Sequence, residues 1–429
     1  MKRRPRRYGL LAVSPLVVLA LLFVALSCLT GSLSSVPLLV VFLLASVYAL
    51  AITRGVPLEE RIAHFSRGAG NPDLLMMVWI FVLAGAFAAS AKEMGAITAT
   101  VELTLRCLPA SMILPGLFIA ACFISISVGT SVGTVVALVP VAAGVAERSG
   151  MEPALVVAAV VGGSFFGDNL SFISDTTVAA TRSMGCELKD KFRANIQLVL
   201  PAALLTILLY VALGSASEPV PVSGHLQWIK VLPYVVVLLT AVMGMNVLSV
   251  LLLGCVLTGA IGFYTGDYNF SAWLTSMAGG IVGMGELIVV SMLAGGLLEL
   301  VRYNGGIVYL IHRLTRRVRT KRGAELSIAA LVSMTNLCTA NNTVAILSVG
   351  RLAKEVSERY GVDKRKGASI LDTFSCTVQG LIPYGAQLLM AGGLSGLNPV
   401  GIISYLYYPM LMGGVALLAI GLRYPRKYS

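Results

Sequence analysis

The chain has 429 residues, of which 57% are hydrophobic and only 12% charged. That is more apolar surface than soluble cores of this size can bury, which excludes an ordinary water-soluble enzyme or binding module. The formal charge of +12 does not mark a nucleic-acid binder, because Lys and Arg stand in short clusters between apolar runs, the distribution that orients helices in a bilayer.

Apolar runs long enough to cross a bilayer as helices begin near residue 8, just after a basic start (1–7). The first is too long for a secretion-signal core and reads as a retained transmembrane helix. Spans are expected at about 8–30, 36–53, 74–91, 152–181 and 195–214, then at 230–247, 248–264, 272–300, 367–395 and 399–422. None alternates apolar and polar residues, so the spans are helices and not barrel strands. Two further stretches, about 110–147 and 324–350, have polar middles rich in Gly, Thr and Asn. Periodicity alone does not separate two spans from one re-entrant hairpin at either place.

Charge separates them. If both stretches leave on the side they entered, 28 of the 32 Lys and Arg residues fall on one side, leaving Lys92, Arg106, Arg148 and Lys230 on the other. The positive-inside rule then places both termini in the cytoplasm. The expected fold is an all-α polytopic membrane protein, an inverted repeat of two five-span halves, each with a re-entrant hairpin and a broken transmembrane helix. The halves are 1–214 (hairpin about 110–147, broken span about 152–181) and 230–429 (hairpin about 324–350, broken span about 367–395), joined by an external linker at 215–229. A faint echo supports the pairing: setting Gly150 against Gly361 puts Asp168 opposite Gln379 and Phe172 opposite Pro383. The expected location is the cell inner membrane, multi-pass.

The chemistry is concentrated in the interrupted segments. The first hairpin turns at Gly129-Thr-Ser-Val-Gly-Thr134, where two glycines and three hydroxyls weaken the helix and free carbonyls; close helix packing is the plain alternative. The next segment, Gly162-Gly-Ser-Phe-Phe-Gly-Asp-Asn-Leu-Ser-Phe-Ile-Ser-Asp-Thr-Thr177, sets Asp168 and Asp175 seven residues apart within one span, among Ser171 and Ser174. A carboxylate at a helix centre costs at least about 2.5–3.5 kcal/mol, so two in one span point to function. Capping of a new helix by Ser174 or Asp175 is compatible with that role. The second half offers Thr339-Ala-Asn-Asn-Thr343 at the hairpin tip, and Asp372, Ser375, Gln379 and the breaker Ile382-Pro-Tyr-Gly385 in the span. For Asp372 the plain alternative is a salt bridge to Lys364–Lys366, and for Asn341 and Asn342 it is helix capping. Glu286 is a further carboxylate within a span. Seven scattered cysteines and three distant histidines suggest neither a disulfide framework nor a metal centre.

At Gly129–Thr134, at Gly167–Thr177 and at Leu371-Asp-Thr-Phe-Ser-Cys-Thr-Val-Gln-Gly-Leu-Ile-Pro383 the chain resembles the NhaC-type sodium/proton antiporter family of the ion transporter superfamily. The resemblance implies paired hairpins and broken helices meeting near the midplane, with sodium and protons as the exchanged ions. The chain departs from the family pattern at Asn169, where lysine is usual, at Phe172, where proline is usual, and at Asn341-Asn342, where an Asp-Gln pair is usual. The expected binding set is Asp168, Asp175, Ser171, Ser174, Thr130 and Thr134, completed by Asn341, Asn342, Asp372 and Ser375, with Asp168 and Asp175 as the sodium ligands. No cofactor is expected; the partners are a small ion or solute and membrane lipid, with no nucleic acid and the oligomeric state open, a homodimer included. Two rivals stand beside this. One is a sodium- or proton-coupled organic-anion or amino-acid carrier of the same fold, using Asn341, Asn342, Gln379, Tyr384 and Gln387. The other is an intramembrane aspartyl protease, disfavoured because Phe165 stands where that motif needs glycine.

Overall fold

The computed structural model describes residues 9–30, 36–214, 227–315, 318–425 and 427, and among them every regular element is helical. Residues 1–7 and most of the expected linker at 215–229 lie outside the described residues. The chain opens with α1 (Ser14–Thr30) and α2 (Leu38–Ile52), then an amphipathic α3 (Leu58–Ala69). The apolar α4 (Pro72–Glu93) leads across Gly95 into a second amphipathic helix, α5 (Ala96–Cys107). A helix pair, α6 (Ile113–Val128) and α7 (Ser131–Ser149), precedes α8 (Pro153–Leu170), α9 (Asp175–Met184) and the long α10 (Leu188–Gly214). The rest runs α11 (Trp228–Val242), α12 (Val247–Thr265), α13 (Phe270–Gly283), α14 (Gly285–Tyr303) and a third amphipathic helix, α15 (Gly306–Thr315). A second pair, α16 (Lys321–Thr339) and α17 (Asn342–Tyr360), is followed by α18 (Lys364–Leu381), α19 (Ala386–Ser395), α20 (Pro399–Ile403) and α21 (Tyr407–Leu422).

Seven helical stretches among the described residues are long and apolar enough to cross a membrane, and four shorter apolar helices accompany them. Several expected boundaries change. The span expected at 399–422 is two helices, and that at 272–300 is interrupted at Met284. The segments 54–73, 92–109 and 302–323 hold the amphipathic α3, α5 and α15, whose half-apolar faces lack the hydropathy of a span. The span expected to start at 195 starts at Leu188, which draws Lys191 out of a supposed loop and into a helix.

Helices approach through small residues, as they must where lipid supplies no hydrophobic drive between them. A Cβ on Gly167 of α8 would lie 2.3 Å from the Ile126 nitrogen of α6, and one on Gly280 of α13 would lie 2.1 Å from the Gly85 oxygen of α4. The largest core runs through α2, α4, α6–α8 and α19–α21, and a second one joins α9 to α16–α18.

Element lengths recur at a constant offset of 211 residues. Ser131 and Asn342 each open a 19-residue helix, Pro153 and Lys364 each open one of 18, and Asp175 and Ala386 each open one of 10. The turns match too: Gly129 and Ala340, Gly150 and Gly361, and Gly185 and Gly396 are all left-handed. So does one internal hydrogen bond, Ser125 to the Ser164 carbonyl against Asn336 to the Ser375 carbonyl. The two ten-residue helices are exchanged, α9 packing on α17 and α19 on α7.

Candidate functional site

The polypeptide unwinds twice at equivalent positions. Between α8 and α9 the helix is interrupted at residues 171–174, with Ser171 and Ser174 extended around a turn at 172–173, and Gly129 at the turn of the first pair packs against this break. Its φ is +74°, and a Cβ would lie 2.5 Å from Ile173 Cγ1, so both conformation and space require glycine. Between α18 and α19 the break is Ile382-Pro-Tyr-Gly385, where Pro383 offers no amide hydrogen to continue the helix.

Asp168, in the last turn of α8, is 6% exposed. Its Oδ1 accepts from Ser174 Oγ at 2.9 Å, and its Oδ2 accepts from Ser131 Oγ at 3.0 Å and Asn342 Nδ2 at 3.1 Å. Ser174 precedes α9, Ser131 opens α7 and Asn342 opens α17, so three helix N-termini, with their partial positive charge, face one buried carboxylate. The donors come from both halves of the chain. Ser174 stands at the N-cap position, yet its hydroxyl serves Asp168 and not the α9 amides. Thr176 Oγ1 bonds the Asp168 carbonyl at 3.0 Å, satisfying a group that the break releases.

A second carboxylate lies behind the first. Asp372 of α18 is fully buried and forms an ion pair with Lys191 of α10, itself 1% exposed. The Lys191 ammonium also donates to the Asn169 carbonyl and to Thr177 Oγ1 at 2.8 Å. Asn342 and Cys376 connect the carboxylates: Asn342 Nδ2 lies 4.0 Å from Cys376 Sγ, which lies 3.7 Å from Asp372 Oδ1. Hydroxyls and amides of this kind serve either charge state. A serine that donates to a bare carboxylate turns its lone pairs to a cation placed beside it, and an amide does the same by rotating half a turn.

The sequence profile of the Na+/H+ antiporter family matches residues 6–215 and 221–425. The chain belongs to that family. This antiporter is 24% identical to the Na(+)/H(+) antiporter NhaC of Bacillus subtilis over 86% of its own length and 88% of the relative's. It is 25% identical to the NhaC of Alkalihalophilus pseudofirmus over 66% and 67% of the two chains, and 22% identical to the Malate-2H(+)/Na(+)-lactate antiporter of Bacillus subtilis over 84% and 83%. Membership makes it an integral-membrane secondary transporter and not an enzyme, which removes the aspartyl-protease reading.

The antiporter brings together Asp168, Ser174 and Asn342 from the expected set, with Asp372 adjoining. It does not bring Asp175 to Asp168. Asp175 is exposed at the first position of α9, whereas Ser174 beside it is buried and donates to Asp168; the carboxylate linked to Asp168, through Asn342 and Cys376, is Asp372. Ser171 Oγ instead ties the break to the Ile126 carbonyl at 2.7 Å, and Ser375 Oγ bonds the Asp372 carbonyl at 2.9 Å. Thr134 bonds the Thr130 carbonyl within its own helix, leaving neither threonine side chain on the carboxylate. Asn341 is a helix cap, its Oδ1 accepting from Val344 N at 3.0 Å. Asp372 pairs with Lys191 and not with Lys364–Lys366; Lys366 is held by Glu325 at 3.1 Å. Glu286 is exposed in the first turn of α14.

Sequence reading missed three contributors. Ser131 lay in the quoted hairpin string, and its position one residue after the extended Thr130 marks it as the side chain facing the break. Lys191 and Asn195, four residues apart on one face of α10, carried no signal because the start of that helix read as loop.

Proposed function

We propose that the chain exchanges sodium for protons across the cell inner membrane, and that Asp168 is the carboxylate that carries each in turn. The observation supporting this is the coordination of Asp168 by Ser174, Ser131 and Asn342 from three helix N-termini, away from water. A carboxylate withdrawn from water must be neutralised, and a proton and a small hard cation compete for the same oxygens. Which one occupies it depends on the concentrations on the side to which it is open, which is the requirement for exchange.

The inverted repeat supplies the alternation. Its support is the constant 211-residue offset, together with the 28-to-4 division of basic residues when both helix pairs are hairpins. α16 opens with Lys321 and Arg322, and the far end of α17 carries Arg351, Lys354 and Arg359, which favours both ends on the cytoplasmic side. A cavity of about 130 Å³ lined by Asp73, Glu299 and Arg302 reaches the turn at Thr339, Ala340 and Asn341, beside the Asn342 that holds Asp168. This cavity is the cytoplasmic approach in the proposal.

The test is purified protein in vesicles with a pH-sensitive dye. Sodium added outside drives protons across with the native chain, and Asp168→Asn abolishes the response; full exchange by Asp168→Asn overturns the assignment. The name of the malate–lactate relative favours organic-anion exchange as the second reading. However, Asn341, Gln379, Tyr384 and Gln387, the groups suited to a carboxylate substrate, are engaged with one another, with Ser131 and with main-chain atoms. Sodium-dependent uptake of labelled malate or lactate without sodium-driven proton flux decides for that reading.

A further inference from the structure

The ammonium of Lys191 lies deeper than any role in orientation or solubility requires. It is 1% exposed, and its three N–H donors meet three acceptors: the Asp372 carboxylate, the Asn169 carbonyl and Thr177 Oγ1. Three donors against three acceptors is the pattern of a charged amine, with no hydrogen left over and no lone pair to satisfy. A buried ion pair is a poor stability device, because desolvation offsets most of its attraction and an apolar pair of the same size serves as well. Its retention beside Asp168 calls for a different account.

Charge counting supplies one. Asp168 and Asp372 are connected through Asn342 and Cys376, so they form one electrostatic unit. Two carboxylates alone carry two negative charges, which one divalent cation or two monovalent ones would neutralise. With Lys191 fixed against Asp372, a single negative charge remains, on Asp168, and a single monovalent ion or proton cancels it. Asn195, whose Nδ2 lies 3.5 Å from the same Asp372 oxygen and also reaches Asn169, adds no charge and keeps that oxygen turned toward α10.

We infer that Lys191 is a tethered counter-ion that permanently occupies the second carboxylate, setting the antiporter's site to accept one monovalent ion and to refuse divalent ones. Lys191 acts through Asp372 and is a specificity-determining residue. The inference rests on Asp168 as the ion-carrying carboxylate, and it makes the lysine part of the ion count in place of the surface charge that its position in the sequence suggests.

The test measures sodium-driven proton flux in vesicles in alkaline buffer, where protons cannot substitute for a missing amine, with calcium as competitor on the sodium side. The native protein and Lys191→Arg resist calcium. Lys191→Gln exposes two carboxylates, and the calcium concentration that halves the flux falls by at least about tenfold, the effect of one added charge in a buried site. Asp372→Asn leaves the amine to cancel Asp168 instead, and half-saturating sodium rises by at least about tenfold. The double variant Lys191→Gln with Asp372→Asn restores the charge count and returns both quantities toward native values, an outcome that repacking alone does not produce. Where Lys191→Gln fails to fold, Asp372→Asn and the double variant carry the same comparison. Unchanged calcium inhibition in Lys191→Gln, or unchanged sodium dependence in Asp372→Asn, overturns the inference. Asp168→Asn is run alongside: its retention of exchange sinks the reading of the site itself, whereas its loss of exchange combined with native selectivity in Lys191→Gln sinks only the role of the lysine.

Discussion

Asp168 shows how a carboxylate is held in a low-dielectric interior. Its three donors arrive from three chain segments, each at a helix start, so hydrogen bonds and helix dipoles act together on it. Removing one donor leaves charge unpaired, and a hydrogen bond to an ionised group is worth about 1.5–3 kcal/mol. Ser131→Ala or Asn342→Ala therefore shifts half-saturating sodium by roughly ten- to a hundredfold in vesicle assays. Asp175 makes a contrasting prediction. Being exposed at the N-terminus of α9, it contributes through the helix dipole, and Asp175→Asn lowers thermal stability by about 0.3–1 kcal/mol while sodium-driven exchange persists. Loss of exchange in Asp175→Asn would return that carboxylate to the ion path.

At the scale of elements, the two helix pairs are built alike and closed differently. The first turns on Gly129 at φ +74°, the second on Ala340 at φ +51°, a region that costs an L-residue about 1–2 kcal/mol. Ala340→Gly is accordingly expected to raise the unfolding temperature, by about 1 kcal/mol of stability, whereas Gly129→Ala lowers it because the added methyl meets Ile173 as well. A thermal-unfolding series on the two variants checks the opposite signs. The start of α18 gives a pH-dependent case. Partial burial pushes the Asp363 carboxyl up, but hydrogen bonds from the Arg365 guanidinium and amide outweigh it and hold it below the usual carboxylate range. A pKa that is lower folded than unfolded contributes stability at neutral pH that disappears as pH falls through the lowered value. Asp363→Ala removes about 1 kcal/mol at neutral pH, and the difference from the native chain closes in acid.

For the whole molecule, the exchanged packing of α9 on α17 and α19 on α7 makes each break depend on the other half of the chain. An inverted arrangement places the loop at Asp267, between α12 and α13, outside the cell, and the turn at Asp363, between α17 and α18, inside. Single cysteines introduced at those two positions should then react with an impermeant thiol reagent from opposite faces of the membrane. Labelling of both from one face contradicts the hairpin topology.

Membrane residence, helical class and the positions of both interruptions were legible in the sequence, because long apolar runs, clustered basic residues, glycines and proline act locally on hydration and backbone. The string containing Asp168 and Ser174 was legible for the same reason: a carboxylate in an apolar run conflicts with its surroundings wherever the chain goes. Two partners of that carboxylate, Ser174 and Asn342, stood in the expected set because they flank the interruptions; Ser131, which reaches Asp168 from 37 residues away, and Lys191, which meets Asp372 across helices that only packing brings together, did not. Whether a lysine faces water or closes an ion pair, and which of two aspartates in one string turns inward, follow from which helix lies alongside. Tertiary structure alone decides that.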